Sequence, residues 1–165
     1  MKPDVFDLTG KTAIITGGAS GLGKRMAETL AVAGASVAIA DINEPGARQI
    51  ANEITAKGGN ALPIEMDVSD LESVMGAVAQ VLSAYGVLDI GINAAGVAAG
   101  RKEDKTPVDI WNHVINIDLN GVYYCCLEYA SVMKKQRHGK IINIASMSAN
   151  VVNNFPQPPV QESRL

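Results

Sequence analysis

Short apolar runs alternate with longer amphipathic segments along most of the chain. An apolar run bounded by turn residues is typical of a buried strand, and apolar residues three or four positions apart are typical of a helix. Five runs are predicted to be strands, at about 11–16, 36–40, 61–66, 88–92 and 140–145. Helices are predicted between them at about 21–33, 44–57, 70–85 and 107–136.

This alternation predicts an α/β fold. Parallel strands joined by right-handed crossover helices form a doubly wound sheet of the Rossmann type. Hydrophobic residues make up 47% of the chain and aromatic ones 4%, which suits a sheet covered by helices on both faces. We assign residues 1–146 to this domain. Residues 147–165 are predicted to be an irregular tail, because prolines at 156, 158 and 159 exclude a helix.

A glycine-rich turn links the first predicted strand to the first predicted helix. Gly17 can adopt the positive φ that such a turn requires. Without side chains at Gly21 and Gly23, the backbone can approach a ligand closely. The free amides and positive dipole of the helix start attract a diphosphate. Ser20 and Leu22 belong to the same turn, which we predict to be a phosphate-binding site.

Polar residues follow the other predicted strands. Asp41 closes the second strand, about 20 residues after the glycine turn, where a dinucleotide fold places the acid that binds the adenosine ribose. Asp67, Asn93 and Ser146 follow the third, fourth and fifth strands. Because the carboxyl ends of parallel strands meet at one edge of a sheet, these residues are predicted to share a dinucleotide-binding crevice.

With these residues in view, the chain resembles the short-chain dehydrogenase/reductase family over about residues 8–158. The resemblance implies the same Rossmann-type fold, with the predicted sheet of about five strands incomplete relative to the family. It also implies that Asp67 and Val68 lie beside the adenine and that Ser146 is catalytic. Asn93, Ala94 and Gly96 would belong to an element that supports the central sheet and would contact the cofactor. Four segments carry the resemblance. Thr16–Gly23 matches the family motif T-G-x-x-x-G-x-G, and Asp67–Val68 matches the pair beside the adenine. Asn93–Gly96 resembles N-N-A-G, with Ala94 in place of the second Asn, and Asn143–Ser146 resembles N-I-S-S.

The cofactor that the resemblance implies is NAD, favoured over NADP. Asp41 would accept hydrogen bonds from a ribose diol and would repel a 2′-phosphate. Members of the family that use NADP carry Arg or Lys at cofactor-contacting positions that Ser20 and Ile42 occupy here. Lys24 and Arg25 are an alternative source of cations that could bind a 2′-phosphate. The other interpretation is that they belong to an exposed, charged helix face.

The resemblance implies an oxidoreductase that interconverts a secondary alcohol and a ketone. In the family, a serine orients the carbonyl, an asparagine supports a water-mediated proton path, and a tyrosine with a lysine four residues later exchanges the proton. Ser146 occupies the place of the serine, and Asp118 that of the asparagine. No tyrosine follows Tyr129, and no tyrosine in the chain has a lysine four positions later.

The missing pair leaves several interpretations open. We expect the chain to be a truncated or frame-shifted form of a reductase, impaired in catalysis. The alternatives are a non-catalytic dinucleotide-binding or interaction module and a non-functional fragment. Residues 153–158 resemble a loop of sugar- and polyol-reducing members, which suggests that substrate class. An exposed edge at the fifth strand would favour a homo-oligomer or aggregation.

Charge and composition narrow the partners. A net charge of −3 without a basic stripe argues against nucleic acid. No apolar run has the length of a membrane span, and the first residues do not have the pattern of a signal peptide, so no membrane association is expected. The adjacent Cys125 and Cys126 suit a reducing compartment, so a cytoplasmic location is predicted. His113 and His138 are far apart in the sequence, and no metal site is predicted.

Overall fold

A computed structural model describes residues 6–98 and 106–146. The strands are β1 Thr12–Thr16, β2 Ser36–Asp41, β3 Asn60–Glu65, β4 Ile90–Asn93 and β5 Lys140–Asn143. The helices are α1 Gly21–Val32, α2 Glu44–Ala56, α3 Leu71–Tyr85, α4 Pro107–Ile115 and α5 Val122–Gln136, and a π-helical segment, Asn116–Gly121, joins α4 to α5. The loop at 101–105 and the predicted tail at 147–165 lie outside the described residues.

The five strands form one parallel sheet in the order β3-β2-β1-β4-β5. The predicted doubly wound fold is therefore confirmed. Thr16 at the end of β1 is paired in register with Ala40 of β2 and with Asn93 of β4. This register brings the carboxyl ends of the three central strands to the same level and opens a crevice where the strand order changes direction.

Two hydrophobic cores cover the two faces of the sheet. Ile14 of β1 packs with Val74 of α3 and Tyr129 of α5, whereas its neighbour Ile15 packs with residues of α1 and α2 such as Ala27. Every residue of β1 is buried, because successive side chains enter opposite cores. A strand buried on both faces has no polar alternation, which explains the unbroken apolar run Ala13–Ile15 between its two terminal threonines.

The helix predicted over 107–136 is present with these bounds, and it contains the π-helical segment Asn116–Gly121 between α4 and α5. The wider turn brings Gly121 against the strand-end residue Val68, where an added Cβ would lie 2.8 Å from Val68 Cγ2. It also turns Asp118 inward, and this side chain is buried. π-Helical turns are rare, and they are frequently found at functional sites.

β5 is one of the two edge strands of the sheet in the described part of the chain, and β3 is the other. β5 pairs with β4 and with no other described strand. Lys140, Ile142 and Asn143 are exposed along it. Backbone groups on an open strand edge can pair with a further strand, so this edge is a surface for association.

Candidate functional site

A cleft of about 420 Å³ opens at the carboxyl ends of the strands. Segments that are distant in the sequence meet in its wall, namely the glycine turn, the ends of β2 and β3, the loop after β4 and the π-helical segment. Twelve of the fourteen site residues predicted from the sequence line it: Gly17, Ser20, Gly21, Leu22, Gly23, Asp41, Ile42, Asp67, Val68, Ala94, Gly96 and Asp118.

The glycines of the turn are each required, or allowed, for a different structural reason. Gly17 has φ +66°, and a Cβ there would lie 2.8 Å from the Cα of Ala95. A Cβ on Gly23 would lie 2.2 Å from the carbonyl oxygen of Gly17, so the helix can start this close to the turn only without a side chain. A Cβ on Gly21 would meet no atom within 4 Å. The turn is therefore tightly packed at Gly17 and Gly23, and it has open space at Gly21, which lines the cleft.

The N-terminus of α1 has no capping side chain. Ser20 stands at the cap position with extended backbone angles, its side chain caps no amide, and no acidic residue lies in the first turn. By contrast, Asn43, Asp70 and Thr106 cap α2, α3 and α4 through side-chain oxygens. The first amides of a helix need acceptors, and the helix dipole adds positive potential there. The uncapped end of α1 therefore suits an anionic group in the cleft.

The Asp41 carboxylate is held at the cleft wall by two backbone amides. Its Oδ2 accepts from the amide of Ala19 at 3.0 Å, and its Oδ1 accepts from the amide of Asn43 at 2.9 Å. Each carboxylate oxygen has a second lone pair available for a further donor. The group is thus oriented in advance to accept hydrogen bonds from neighbouring hydroxyls.

Asp67 and Val68 form the wall beyond β3. The Asp67 Oδ1 accepts from the amide of Ser69 at 2.8 Å and from its hydroxyl at 2.7 Å, which fixes the side chain in a tight local turn. The amide of Asp67 donates to the hydroxyl of Ser73 at 3.0 Å. Val68 is almost fully buried against Gly121. This side of the cleft is consequently rigid and partly apolar.

The loop after β4 is held at two points. The hydroxyl oxygen of Thr16 accepts from the amides of Ala94 and Ala95, both at 3.0 Å. The Oδ1 of Asp118 accepts from the amide of Val97 at 2.8 Å. Thr16 opens the glycine motif but was not predicted to be a site residue, and its role is to support the loop that lines the cleft. A buried polar residue at the end of an apolar strand is the sequence signal for such a role.

Two predicted site residues are not in the lining. Asn93 is 2% exposed and lies beneath the cleft, where its Nδ2 donates to Asn143 Oδ1 at 2.8 Å and lies 3.4 Å from Cys126 Sγ. It connects β4 to β5. Ser146 is half-buried just beyond β5 and is not among the residues that line the cleft.

Apolar side chains complete the wall, and sequence reasoning missed them. The six additional lining residues are Met66, Ala95, Val97, Ile117, Val122 and Ile144. Residues of this kind carry no motif signal, because the same residue types fill the core. An apolar wall with a few convergent polar groups is typical of small-molecule and cofactor sites.

The cations nearest the glycine turn are engaged in ion pairs. Lys24 Nζ lies 3.2 Å from Glu53 Oε2 and 3.9 Å from Glu28 Oε1, and Arg25 Nη1 lies 2.9 Å from Glu28 Oε2. Arg48 on α2 pairs with Glu44 one turn earlier. Neither Lys24 nor Arg25 lines the cleft. Their observed contacts are therefore those of a charged helix face.

Across residues 6–98 and 106–146, no group of three or more His, Cys, Asp or Glu residues could hold a metal ion. Within the same described ranges, none of the helices combines the length and apolarity needed to cross a bilayer. Cys125 and Cys126 are both free thiols.

Comparisons with known proteins agree with this arrangement. The family described as short chain dehydrogenase matches residues 11–157. Sorbose reductase of Candida albicans is 37% identical over 157 residues, which cover 93% of this chain and 55% of that protein. D-threitol dehydrogenase of Mycolicibacterium smegmatis is 34% identical over 146 residues, which cover 88% of this chain and 56% of that protein. The chain thus spans about half the length of these curated relatives.

A solved structure of 7α-hydroxysteroid dehydrogenase, complexed with NADH and 7-oxo glycochenodeoxycholic acid, superimposes with a TM-score of 0.90 at 31% identity. The match covers 99% of this chain and 64% of that one.

Proposed function

Because this chain belongs to the short-chain dehydrogenase family, we propose that its cleft binds NAD(H) in the service of alcohol–ketone interconversion. The uncapped N-terminus of α1 beside the oriented carboxylate of Asp41 carries this proposal. A dinucleotide requires two features at the switch point of a doubly wound sheet: a helix N-terminus that binds its diphosphate and a carboxylate that accepts hydrogen bonds from its ribose diol.

The residues present fit such a cofactor. The open space at Gly21 and the amides at the start of α1 would receive the diphosphate. Asp41 would bind the adenosine ribose, with Ile42 beside it, and Asp67 and Val68 would flank the adenine. The opposite half of the cleft, around Ala94, Gly96 and the apolar wall, would receive the nicotinamide. When bound, the cofactor supplies a hydride acceptor or donor.

NAD is the proposed form of the cofactor, in preference to NADP. A 2′-phosphate would face the Asp41 carboxylate, and Lys24 and Arg25 are already paired with Glu53 and Glu28. Releasing either cation would cost an ion pair, and neither lines the cleft. Neither cation would therefore offset the repulsion between the Asp41 carboxylate and a 2′-phosphate.

The catalytic roles are proposed for Ser146 and Asp118. The Ser146 hydroxyl would orient the substrate carbonyl, and Asp118 would order a water for proton transfer. The 165 residues contain no tyrosine with a lysine four positions later. For this chain alone we therefore propose dinucleotide binding with little or no turnover. A non-catalytic binding or interaction module is the second candidate, and the same missing pair favours it.

The proposed substrate is a sugar or polyol. Sorbose reductase and D-threitol dehydrogenase are named for such compounds. Residues 153–158, which suggested this class from the sequence, lie outside the described residues. A second copy of the chain, associating through the β5 edge, is the proposed macromolecular partner. The free thiols of Cys125 and Cys126 favour the cytoplasm as the proposed compartment.

Fluorescence titration with NADH and NADPH tests the binding proposal. We expect saturable binding of NADH and weaker binding of NADPH. Asp41→Asn should weaken NADH binding by about tenfold or more, because charge-assisted hydrogen bonds to the ribose are lost. Asp70→Asn is the matched control, since Asp70 caps α3 without lining the cleft and asparagine caps equally well.

An unmodified chain that binds neither nucleotide would contradict the proposed function. Equal effects of the two substitutions would contradict the role of Asp41. Oxidation of a polyol panel with NAD⁺ then separates the enzyme from the binding module, because only the enzyme would form NADH.

A further inference from the structure

Three carboxylates line the described cleft, and they lie on different sides of it. Asp41 and Asp67 follow β2 and β3, whereas Asp118 belongs to the π-helical segment beside the loop after β4. Asp118 is 6% exposed and still contributes to the lining. The cleft therefore has an acidic group at the end opposite to Asp41.

A backbone hydrogen bond orients the Asp118 side chain. Its Oδ1 accepts from the amide of Val97 at 2.8 Å. The π-helical segment that carries it is packed against the end of β3 through Gly121 and Val68. The hydrogen bond thus orients the side chain, and the packing at Gly121 positions the segment that carries it.

The cofactor orientation follows from the proposed function, on which this inference rests. With the diphosphate at the start of α1 and the adenosine at Asp41, the nicotinamide half extends towards Asp118. Two apolar residues near this end also line the cleft, namely Ile117, which precedes Asp118, and Ile144, which follows β5. Electrostatic interactions are stronger in such surroundings than in water.

We propose that Asp118 sets the redox-state preference of the site by favouring NAD⁺ over NADH. The nicotinamide ring carries a positive charge in NAD⁺ and none in NADH, so a carboxylate at this end attracts the oxidised ring selectively. The resembled family has an asparagine at this position, and an amide lacks that charge. Asp118 is therefore a specificity residue for the oxidation state of the cofactor.

Binding of three ligands to the Asp118→Asn variant tests the proposal. Calorimetry measures NAD⁺ and ADP-ribose, and fluorescence measures NADH. Asparagine keeps an oxygen that can accept from the Val97 amide, so the loop contact is preserved. We expect the variant to bind NAD⁺ about tenfold more weakly, as the loss of one charge contact implies. NADH and ADP-ribose should each stay within about twofold of the unmodified chain.

Asp41→Asn is the matched comparison, because the adenosine half is common to all three ligands. It should weaken NAD⁺, NADH and ADP-ribose to the same degree. If Asp118→Asn weakens all three equally, Asp118 acts through the loop and the inference is wrong. If the unmodified chain binds none of them, the proposed function fails, and the inference fails with it.

One measurement needs no variant and holds if Asp118→Asn does not fold. In the unmodified chain, NAD⁺ should bind at least as tightly as NADH. Binding of NADH that is about tenfold tighter than that of NAD⁺ would overturn the inference.

Discussion

The hydroxyl oxygen of Thr16 lies 3.0 Å from the backbone nitrogen of Ala95 and accepts its hydrogen bond. The same oxygen accepts from Ala94. Gly17, the next residue, has no side chain at the point where a Cβ would touch Ala95. These contacts join the end of β1 to the loop after β4, and both Gly17 and this loop line the cleft.

Thr16→Val should destabilise the protein and weaken nucleotide binding. Valine has nearly the same shape but leaves two partly buried amides without their acceptor, and a fully buried donor without a partner costs about 1–3 kcal/mol. Urea unfolding measures the loss of stability, and NADH titration measures the loss of affinity. Thr16→Ser is the matched control, because serine keeps the oxygen. Equal stability of the valine and serine variants would contradict this assignment.

Gly23→Ala should destabilise the fold and abolish nucleotide binding, because the new methyl would overlap the carbonyl of Gly17 and push α1 away from the turn. Gly76→Ala is a control with the opposite expectation. Gly76 lies exposed within α3, and a Cβ there meets no atom within 4 Å. Alanine should therefore raise stability by about 0.5–1 kcal/mol. Urea unfolding of the two variants measures both effects, and a neutral Gly23→Ala would refute the proposed packing.

Alkaline pH should reduce stability through the buried thiol of Cys125. Burial raises the pKa of Cys125 from 9.0 to about 12 in the folded protein. Below about pH 9 the thiol is protonated in both states, and its contribution to stability is fully present. Between about pH 9 and 12 the unfolded chain loses this proton and the folded chain keeps it, so the free energy of unfolding falls. Burial also raises the pKa of Tyr129, which acts in the same direction.

Cys125→Ala checks this expectation. The variant should be less stable near neutral pH, because a small cavity replaces the sulfur. Its free energy of unfolding should then fall less steeply than that of the unmodified chain between about pH 9 and 12. Parallel pH profiles for the two proteins, measured by urea unfolding, would show that Cys125 does not cause the alkaline loss.

Ile142→Lys should reduce self-association. Ile142 is 45% exposed on the β5 edge, and a lysine on an open edge opposes pairing with another strand. Light scattering against protein concentration measures the effect. Val32→Lys is the matched control, since Val32 is 87% exposed at the end of α1, away from β5. If both variants lower scattering equally, general charge and not the β5 edge controls association.

The sequence by itself determined the order of strands and helices and the place of the glycine turn. These features depend on the spacing of apolar residues and on the backbone freedom of particular glycines, such as the φ of +66° at Gly17. Both are local properties. The position of Asp41 at the end of β2 followed for the same reason, since a parallel sheet brings its strand ends to one edge.

Only the tertiary structure decided which groups meet. Lys24 reaches Glu53 on another helix, Thr16 receives amides from a loop nearly eighty residues later, and Asn93 lies beneath the cleft that it was predicted to line. Such contacts depend on the strand order and on the depth of each helix against the sheet. The π-helical turn that directs Asp118 inward depends on the same packing. No local pattern encodes these distances, because they arise between segments that approach each other only after the sheet has formed.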